Sequence, residues 1–190
     1  MEMSDVVRPT SAPRDGINTA IVVLVLVLGM AFLPRLFAGG ALRTSQGPLV
    51  GKPAPAFSLP VVANAETGQA SVSLESLKGR AVILDFWATW CGPCQAEAPI
   101  VNAVANRWKD KGLSVVGVNT SDRAGLGGPW ALRHHIGYPI AFDEGNGAAD
   151  AYGVSAMPTL VVISRTGKVI AVREGLTDAD ELDSLVKKAL

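Results

Sequence analysis

The chain has 190 residues, enough for one ordinary domain and an appendage but not for two full domains. The 17 basic residues balance 17 acidic ones, so the sequence lacks the clustered basic excess of a nucleic-acid-binding protein. With 48% apolar residues and only two cysteines, it predicts a packed globular core and excludes a small scaffold held by several disulfides.

The N-terminal part of the chain predicts a membrane segment. Residues 1–16 contain prolines and scattered charges without periodicity, which predicts a flexible tail. The segment Ile17–Ala38 contains an uncharged run, AIVVLVLVLGMAFL. At about 1.5 Å per residue the whole segment is long enough to cross a bilayer. We therefore predict a transmembrane signal-anchor helix at Ile17–Ala38.

A cleaved signal peptide is the alternative interpretation of this segment. Arg8 and Arg14 would then form its charged region, and the small residues Ala38–Ala41 its processing site. Arg35 and Arg43 follow the apolar run, so basic residues on its two sides are equal in number and do not fix the orientation. Both interpretations place the following domain outside the cytoplasm, because a single N-terminal apolar segment usually exports the domain behind it.

The remaining chain consists of a linker and one domain. Residues 39–55 are rich in Pro and Gly and predict an extended linker, which leaves residues 56–190 for the domain. Apolar patterns predict strands at Phe57–Val62, Ala70–Leu74, Ala81–Trp87, Leu113–Asn119, Ile140–Phe142, Thr159–Ser164 and Lys168–Glu174. Helices are predicted from Pro93 to Trp108, at Pro129–Ile136, at Asn146–Tyr152 and after Thr177, which we expect to cap the last helix. This order indicates an α/β fold with a central mixed sheet.

The segment WCGPC, which ends at Cys94, carries the clearest chemistry. It lies between an apolar strand and the next helix. A thiolate at a helix N terminus meets unpaired N–H groups and the positive end of the helix dipole, which predicts a lowered pKa and a nucleophilic role for Cys91. Cys94 comes one turn later, within reach of the Cys91 sulfur but more shielded. We expect Cys91 to attack a substrate disulfide and Cys94 to resolve the mixed disulfide.

Two structural uses of the cysteine pair fit the sequence less well. A structural zinc site needs four ligands, and the chain has no second cysteine pair. His134 and His135 are adjacent, so they do not face one another on a helix. An inert disulfide between Cys91 and Cys94 would close too small a loop to stabilise the fold much. We expect no metal and no cofactor.

The sequence also resembles a known family. The segment Ile83–Cys94, ILDFWATWCGPC, is similar to the active-site region of thioredoxin nearly residue for residue. The likeness extends to VGKPAPAFSL before it, to QAEAP directly after it, and to YGVSAMPT and GKV further on. This ordered set resembles the membrane-tethered TlpA-like and ResA-like thioredoxins over about residues 50–190. The resemblance implies a thioredoxin-like fold and a thiol:disulfide oxidoreductase.

The resemblance implies roles for individual residues. Pro158 is expected to follow a cis peptide bond beside the cysteines, which leaves the Met157 backbone free to pair with an extended substrate segment. Asp85 matches the buried acid of the family, whose raised pKa suits it to relay the proton of Cys94. The lysine that accompanies this acid in thioredoxin has no evident counterpart here. Glu97 matches an acid typical of the tethered branch.

The candidate site therefore has two parts. The catalytic part consists of Cys91, Cys94, Asp85 and Glu97. The substrate-binding part consists of Trp90, Gly92, Pro93, Met157 and Pro158. A further group lies between the second buried strand and Pro158, where either a packing role or a role in partner choice is open: Trp130, His134, His135 and Tyr138.

The implied function is reduction of disulfides in exported proteins, with the haem-attachment cysteines of apocytochromes c as candidate clients. The dipeptide Gly92-Pro93 resembles that of thioredoxin, whose potential is roughly −270 mV, against about −120 mV for a dedicated oxidant. An oxidising compartment would hold such a protein in its disulfide form. We therefore expect two partners besides the substrates: a membrane protein that donates thiol electrons, and the membrane itself. We expect no nucleic acid as a partner.

Two other functions remain as alternatives. A thiol peroxidase shares the fold, but it requires the pattern P-x-x-x-T-x-x-C, which the residues before Cys91 do not provide. A non-catalytic copper chaperone would bind Cu(I) through Cys91 and Cys94, with or without a histidine. Tight stoichiometric Cu(I) binding with negligible disulfide reduction would favour the chaperone over the reductase.

Overall fold

The computed structural model describes residues 21–28, 47–65 and 68–190. The chain divides into two units, Met1–Arg43 and Thr44–Leu190. In the first unit, residues 21–28 form a helix. None of the helices in the described part of the chain combines the length and the hydropathy needed to cross a bilayer. The predicted tail at 1–16, the rest of the predicted span Ile17–Ala38 and the predicted linker before residue 47 lie outside the described residues.

The second unit alternates strands and helices, largely as predicted. Its strands are β1 Ser58–Ala63, β2 Ser71–Ser73, β3 Ala81–Trp87, β4 Leu113–Asn119, β5 Ile140–Phe142, β6 Thr159–Ile163 and β7 Val169–Glu174. Its helices are α1 Gly92–Trp108, α2 Gly127–Arg133, α3 Gly147–Tyr152 and α4 Ala179–Ala189. Short 3₁₀ turns lie at Glu75–Leu77, Lys109–Lys111 and Glu144–Asn146.

The strands form one mixed sheet in the order β2-β1-β5-β4-β3-β6-β7. Strand β3 pairs in parallel with β4 and antiparallel with β6, so the central mixed sheet is confirmed. All seven residues of β3 are buried, as expected for a near-continuous apolar strand covered on both faces. The pairing of Phe86 with Thr159 brings the end of β3 beside the start of β6.

The two faces of the sheet carry separate apolar clusters. Side chains alternate between the faces of a strand, so Ile83 belongs to one cluster and Leu84 to the other. The Ile83 cluster includes residues of α1 and α4, and it also contains both cysteines. All described members of the two clusters come from residue 49 onward, so the second unit has its own hydrophobic core.

The helix predicted at Pro129–Ile136 lies two to three residues earlier in the chain. It begins at Gly127, so Pro129 is its third residue, and it ends at Arg133. Gly128 allows this helix to pack closely against β1, since a Cβ there would lie 3.0 Å from the Val62 carbonyl oxygen. The early end follows from His135, which has a left-handed φ of 54° that does not continue a helix.

The prediction that Thr177 caps the last helix was wrong. Asp178 is the N-cap residue of α4, and its Oδ1 accepts a hydrogen bond from the Glu181 N–H at 2.8 Å. Thr177 is buried one residue earlier, where its N–H donates to the Glu97 side chain. Thr177 therefore contacts Glu97, and the next residue, Asp178, caps the helix.

Candidate active site

The two cysteines lie at the N terminus of α1, directly after β3. Cys91 is the N-cap residue, and its Sγ accepts a hydrogen bond from the Cys94 N–H at 3.2 Å. Pro93 lies in the first turn, where a missing N–H costs no helical hydrogen bond. Cys91 and Cys94 form a disulfide with an S–S distance of 2.06 Å. In the reduced protein, the N–H groups of this helix end favour the thiolate of Cys91.

The two cysteines are equally shielded in this oxidised form. Each is 3% exposed, whereas the sequence predicted a more shielded Cys94. That prediction was wrong for the disulfide state, because both residues pack in the same apolar cluster as Trp87. The exposed part of the site therefore consists of the residues around the sulfurs rather than of the sulfurs themselves.

Trp90 provides the largest exposed apolar surface beside the disulfide. Its side chain is 65% exposed, and its indole N–H donates to the Ser121 carbonyl oxygen at 3.0 Å. Gly92 and Pro93 are exposed as well. The loop that follows β4 thus holds the Trp90 ring in place, next to two exposed residues that separate the cysteines.

The segment before β6 completes the surroundings of the disulfide. The peptide bond between Met157 and Pro158 is cis, as the family resemblance implied. Met157 is half-buried and packs against the cluster that contains both cysteines. The Pro158 carbonyl oxygen accepts a hydrogen bond from the Gly175 N–H at 2.8 Å, which ties this segment to the end of β7.

Asp85 is buried in the middle of β3, on the same face of the sheet as the cysteines. Two-residue alternation places it with Ile83 and Trp87, both members of the cluster that contains Cys91 and Cys94. Burial raises the pKa of Asp85 from 3.8 to about 6, and a hydrogen bond from Tyr138 opposes part of this shift. Asp85 therefore titrates close to neutral pH, where a proton acceptor is useful.

Glu97 is also buried, at 1% exposure, one turn beyond Cys94 on α1. Its Oε1 accepts a hydrogen bond from the Thr177 N–H at 2.8 Å. Within the described residues its Oε2 has no hydrogen-bond partner. Burial raises the pKa of Glu97 from 4.5 to about 8, and the negative charge of Asp85 adds to the shift. The carboxyl group thus stays largely protonated at neutral pH.

Tyr138 is the polar partner of Asp85. Its hydroxyl donates to Asp85 Oδ2 at 2.8 Å, and the side chain is buried. Burial, together with the charge of Asp85, raises the pKa of Tyr138 well above 10, so the phenol remains a hydrogen-bond donor. Gly117 leaves room for the ring, since a Cβ there would lie 3.1 Å from Tyr138 Cε2 and 2.6 Å from Ile140 Cδ1.

The role of Tyr138 was missed in the sequence. The sequence singled out Tyr138 only as one of four residues with a role in packing or in partner choice. The missing lysine partner of Asp85 was the available signal, because a buried acid requires some polar partner. The sequence does not show which of the distant polar residues lies opposite β3.

The neighbouring Trp130 and His134 pack against the site rather than open a second one. The Trp130 ring lies 4.3 Å from Trp87 and 4.0 Å from His134, measured between ring centroids. The packing interpretation is therefore correct for Trp130, which is 4% exposed. Among the residues with described positions, no group of three or more His, Cys, Asp or Glu residues is arranged to hold a metal ion.

The fold and the site define a class of enzyme. A redox-active cysteine pair at a helix N terminus, beside a cis-proline and above a mixed sheet, is the arrangement of thioredoxin-like thiol:disulfide oxidoreductases. The sequence matches the Redoxin family model over residues 49–188. The chain belongs to the Redoxin family and is a thiol:disulfide oxidoreductase.

Named relatives and solved structures agree with this class. The thiol-disulfide oxidoreductase ResA of Bacillus subtilis (strain 168) is 32% identical over 162 residues, 85% of this chain and 83% of its own. ResA of Bacillus anthracis is 30% identical over 167 residues, 88% of this chain and 93% of its own. The crystal structure of a thiol:disulfide interchange protein of the thioredoxin family from Chlorobium tepidum TLS superposes with a TM-score of 0.63 at 30% identity. That match covers 76% of this chain and 99% of the other.

Proposed function

We propose that this protein is a membrane-anchored reductase of protein disulfides, with the domain of residues 56–190 outside the cytoplasm. The observation that carries the proposal is the Cys91–Cys94 disulfide at the start of α1, beside the cis Met157–Pro158 peptide. The apolar segment Ile17–Ala38, as an anchor or alternatively as a cleaved signal, supports the location. Residues 39–55 serve as the linker.

The first step is nucleophilic attack by Cys91. Its thiolate forms a bond to one sulfur of the substrate disulfide, the substrate S–S bond breaks, and the other substrate sulfur leaves and takes up a proton. The substrate lies on the exposed surface beside the disulfide and pairs with the Met157 backbone as an added strand. The proposed substrate-binding residues are the exposed Trp90, Gly92 and Pro93, the half-buried Met157 and the buried Pro158 beneath them in the same region.

The second step releases the substrate. Asp85 accepts the proton of the Cys94 thiol, and the Cys94 thiolate attacks Cys91 Sγ. The Cys91–Cys94 bond forms, the mixed disulfide breaks, and the second substrate sulfur leaves as a thiol after protonation. Two electrons pass from the cysteine pair to the substrate, so the substrate gains two thiols and the protein becomes the disulfide.

The two buried acids have different tasks in this scheme. With a pKa of about 6, Asp85 is largely ionised at pH 7 and can take a proton. With a pKa of about 8, Glu97 is largely protonated and adds no second negative charge close to the Cys94 thiolate. Tyr138 keeps the carboxylate of Asp85 hydrogen-bonded while it is charged.

Each turnover leaves the cysteine pair oxidised, so the function requires a source of electrons. We propose a membrane protein that passes thiol electrons outward as this donor. The proposed substrates are disulfides of exported proteins, with the haem-attachment cysteines of apocytochromes c among them. The names of the ResA relatives support thiol-disulfide exchange as the chemistry of this step.

The reduction potential of the cysteine pair tests the direction of the reaction. We expect the fragment Thr44–Leu190, equilibrated with defined glutathione or dithiothreitol buffers, to have a potential close to the roughly −270 mV of thioredoxin. A potential near the roughly −120 mV of a dedicated oxidant would instead make the protein an oxidase.

Trapping of mixed disulfides tests the order of the two steps. The Cys94→Ser variant of the full chain should accumulate covalent adducts with exported proteins in cells, because the second step is blocked. The matched control is the Cys91→Ser variant, which keeps one cysteine of the pair but lacks the attacking one. Equal adduct yields from the two variants would refute the assignment of Cys91 as the nucleophile.

A further inference from the structure

The end of the sheet opposite the disulfide is surrounded by basic residues. Strands β3 and β4 begin there, since Ala81 pairs with Leu113. Strand β6 ends there beside the start of β7, since Ile163 pairs with Val169. The connections at this end carry six basic residues: Lys78, Arg80, Lys109, Lys111, Arg165 and Lys168.

Hydrogen bonds hold these connections together in one surface. The Arg80 guanidinium donates to the Lys109 carbonyl oxygen at 2.8 Å. The Arg165 guanidinium donates to the Lys111 carbonyl oxygen at 3.0 Å. Because each of these arginine side chains is bonded to the backbone of a neighbouring connection, the charged groups belong to a single patch rather than to separate loops.

Three more lysines extend this surface. The Lys52 carbonyl oxygen accepts a hydrogen bond from the Val169 N–H at 3.0 Å, at the start of β7. The Arg165 N–H donates to the Ala189 carbonyl oxygen at 3.1 Å, so the last turn of α4 lies here too, with Lys187 and Lys188. We call the surface formed by these nine residues the basic end. Arg80 is half-buried, and the other eight are exposed.

Charge in the second unit is therefore strongly segregated. Within residues 47–65 and 68–190, nine of the thirteen Lys and Arg residues belong to the basic end. Among the same described residues, only Glu75 and Asp110 are acidic residues of the connections at this end. Many carboxylates lie instead near the disulfide end of the sheet: Asp122, Asp143, Glu144, Glu174, Asp178 and Glu181. A surface of one sign attracts polyanions even where the total charge of the domain is close to zero.

We propose that the basic end binds the anionic headgroups of a phospholipid membrane. Exposed lysines and arginines near an anionic lipid surface each add to its attraction. Because the disulfide lies at the opposite end of the sheet, this contact turns the cysteine pair away from the lipid and towards soluble substrates. The surface thus orients the domain in addition to any anchor.

The chain length between the predicted apolar span and Lys52 favours a membrane over other polyanions. Residues 39–51 separate Ala38 from Lys52. A fully extended chain of this length reaches about 45 Å, at about 3.5 Å per residue. A short tether gives the basic end a high effective concentration at the membrane, so a weak contact is sufficient. This step rests on the proposed membrane attachment, whereas the affinity of the basic end for lipid does not.

Vesicle binding by the fragment Thr44–Leu190 tests the lipid contact without the N-terminal segment. The fragment contains both apolar clusters and is one compact unit. We expect it to sediment with vesicles of phosphatidylcholine and phosphatidylglycerol at low salt, and not with phosphatidylcholine alone. Binding should be lost at high salt, since the Debye length shrinks to about 3 Å at 1 M.

Charge reversal at two sites provides the matched comparison. The Lys52→Glu/Lys168→Glu variant should bind anionic vesicles at least about tenfold more weakly. The control, Arg123→Glu/Arg133→Glu, changes the total charge equally at two exposed arginines outside the basic end and should retain binding. Insulin reduction by each fragment reports whether the enzyme is folded and active, independently of the lipid result.

The outcomes separate the two proposals. Equal weakening by both variants, binding to neutral vesicles, or no binding to anionic vesicles at low salt would each overturn the lipid contact. If the unaltered fragment does not reduce insulin, this result counts against the proposed function and not against the lipid contact. Binding to an acidic protein in place of the vesicles would likewise contradict the proposed partner.

Discussion

Two carboxyl groups of this domain, those of Asp85 and Glu97, are both buried but differ in their surroundings. Asp85, on the central strand β3, accepts a hydrogen bond from the phenol of Tyr138. Glu97, on helix α1, accepts one from the Thr177 backbone N–H, and its second oxygen has no partner among the described residues. The pKa is about 6 for Asp85 and about 8 for Glu97.

Because of this difference, one buried acid can accept a proton while the other stays neutral. Burial raises the pKa of both acids, and the negative charge of Asp85 raises that of Glu97 further. At neutral pH one carboxyl group is mostly ionised and the other mostly protonated. Pairs of acids whose environments give them different pKa values are typical of active sites in which one group acts as an acid and the other as a base.

Removal of the ionisable group of Asp85 should have the largest effect. In the Asp85→Asn variant we expect the second step, release of the mixed disulfide, to slow by about a hundredfold at pH 7, because no carboxylate accepts the Cys94 proton. Rapid mixing of the reduced fragment with a fluorescent peptide disulfide separates the two steps. The first step, attack by Cys91, should keep its rate, and an unchanged second step would contradict the role of Asp85.

Neutralisation of Glu97 should change the pH dependence of stability. The folded chain holds the Glu97 proton up to about pH 8, whereas the unfolded chain releases it near 4.5. Between these values the folded state binds more protons, so the free energy of unfolding falls as the pH rises. The Glu97→Gln variant lacks this loss and should gain about 3 to 4 kcal/mol relative to the unaltered protein between pH 5 and pH 8.

Chemical denaturation at the two pH values measures this difference. The glutamine Oε1 can still accept the Thr177 N–H, so the variant keeps the hydrogen bond. Glu144→Gln, at an exposed site, is the matched control and should show the same difference in stability at both pH values. A parallel pH dependence for Glu97→Gln and the unaltered protein would refute the buried, protonated state of Glu97.

Deletion of the Tyr138 hydroxyl should have the smallest effect of the three changes. The Tyr138→Phe variant loses the donor that stabilises the Asp85 carboxylate, so the pKa of Asp85 should rise by about one unit. The pH at which the second step reaches half its maximal rate should rise equally, and at low pH this is a loss of about tenfold in rate.

The other tyrosine of the chain supplies the control for this change. The Tyr152 hydroxyl donates to the Pro55 carbonyl oxygen at 2.7 Å and does not contact Asp85. The Tyr152→Phe variant should therefore leave the pH profile of the second step in place. If both variants shift the profile by the same amount, the effect is structural and Tyr138 has no specific role.

Strands and the active-site turn were predictable because local patterns specify them. The run AVILDFW indicated β3 with its exact bounds, and LSVVGVN did the same for β4. The N terminus of α1 followed from the Cys91 spacing and from Pro93. In each case the residues that decide the structure lie next to one another in the chain.

Contacts between distant residues were not predictable in the same way. Nothing local in the sequence places the Tyr138 hydroxyl opposite Asp85, or the Thr177 N–H against Glu97. The basic end is distributed over five separate segments, so the balance of basic and acidic residues counted along the chain does not reveal it. These features depend on the sheet register and on which loops meet at one end of the sheet.

The central claim is that Cys91 is a thiolate at neutral pH, and its alkylation rate tests this directly. In the Cys94→Ser variant, Cys91 is the only thiol. The rate of its reaction with iodoacetamide between about pH 4 and 10 therefore follows its ionisation. The midpoint for free cysteine is about 8.5. The account predicts a midpoint at or below about 7. A midpoint at about 8.5, the value of free cysteine, together with the reactivity of an ordinary thiol, would contradict it.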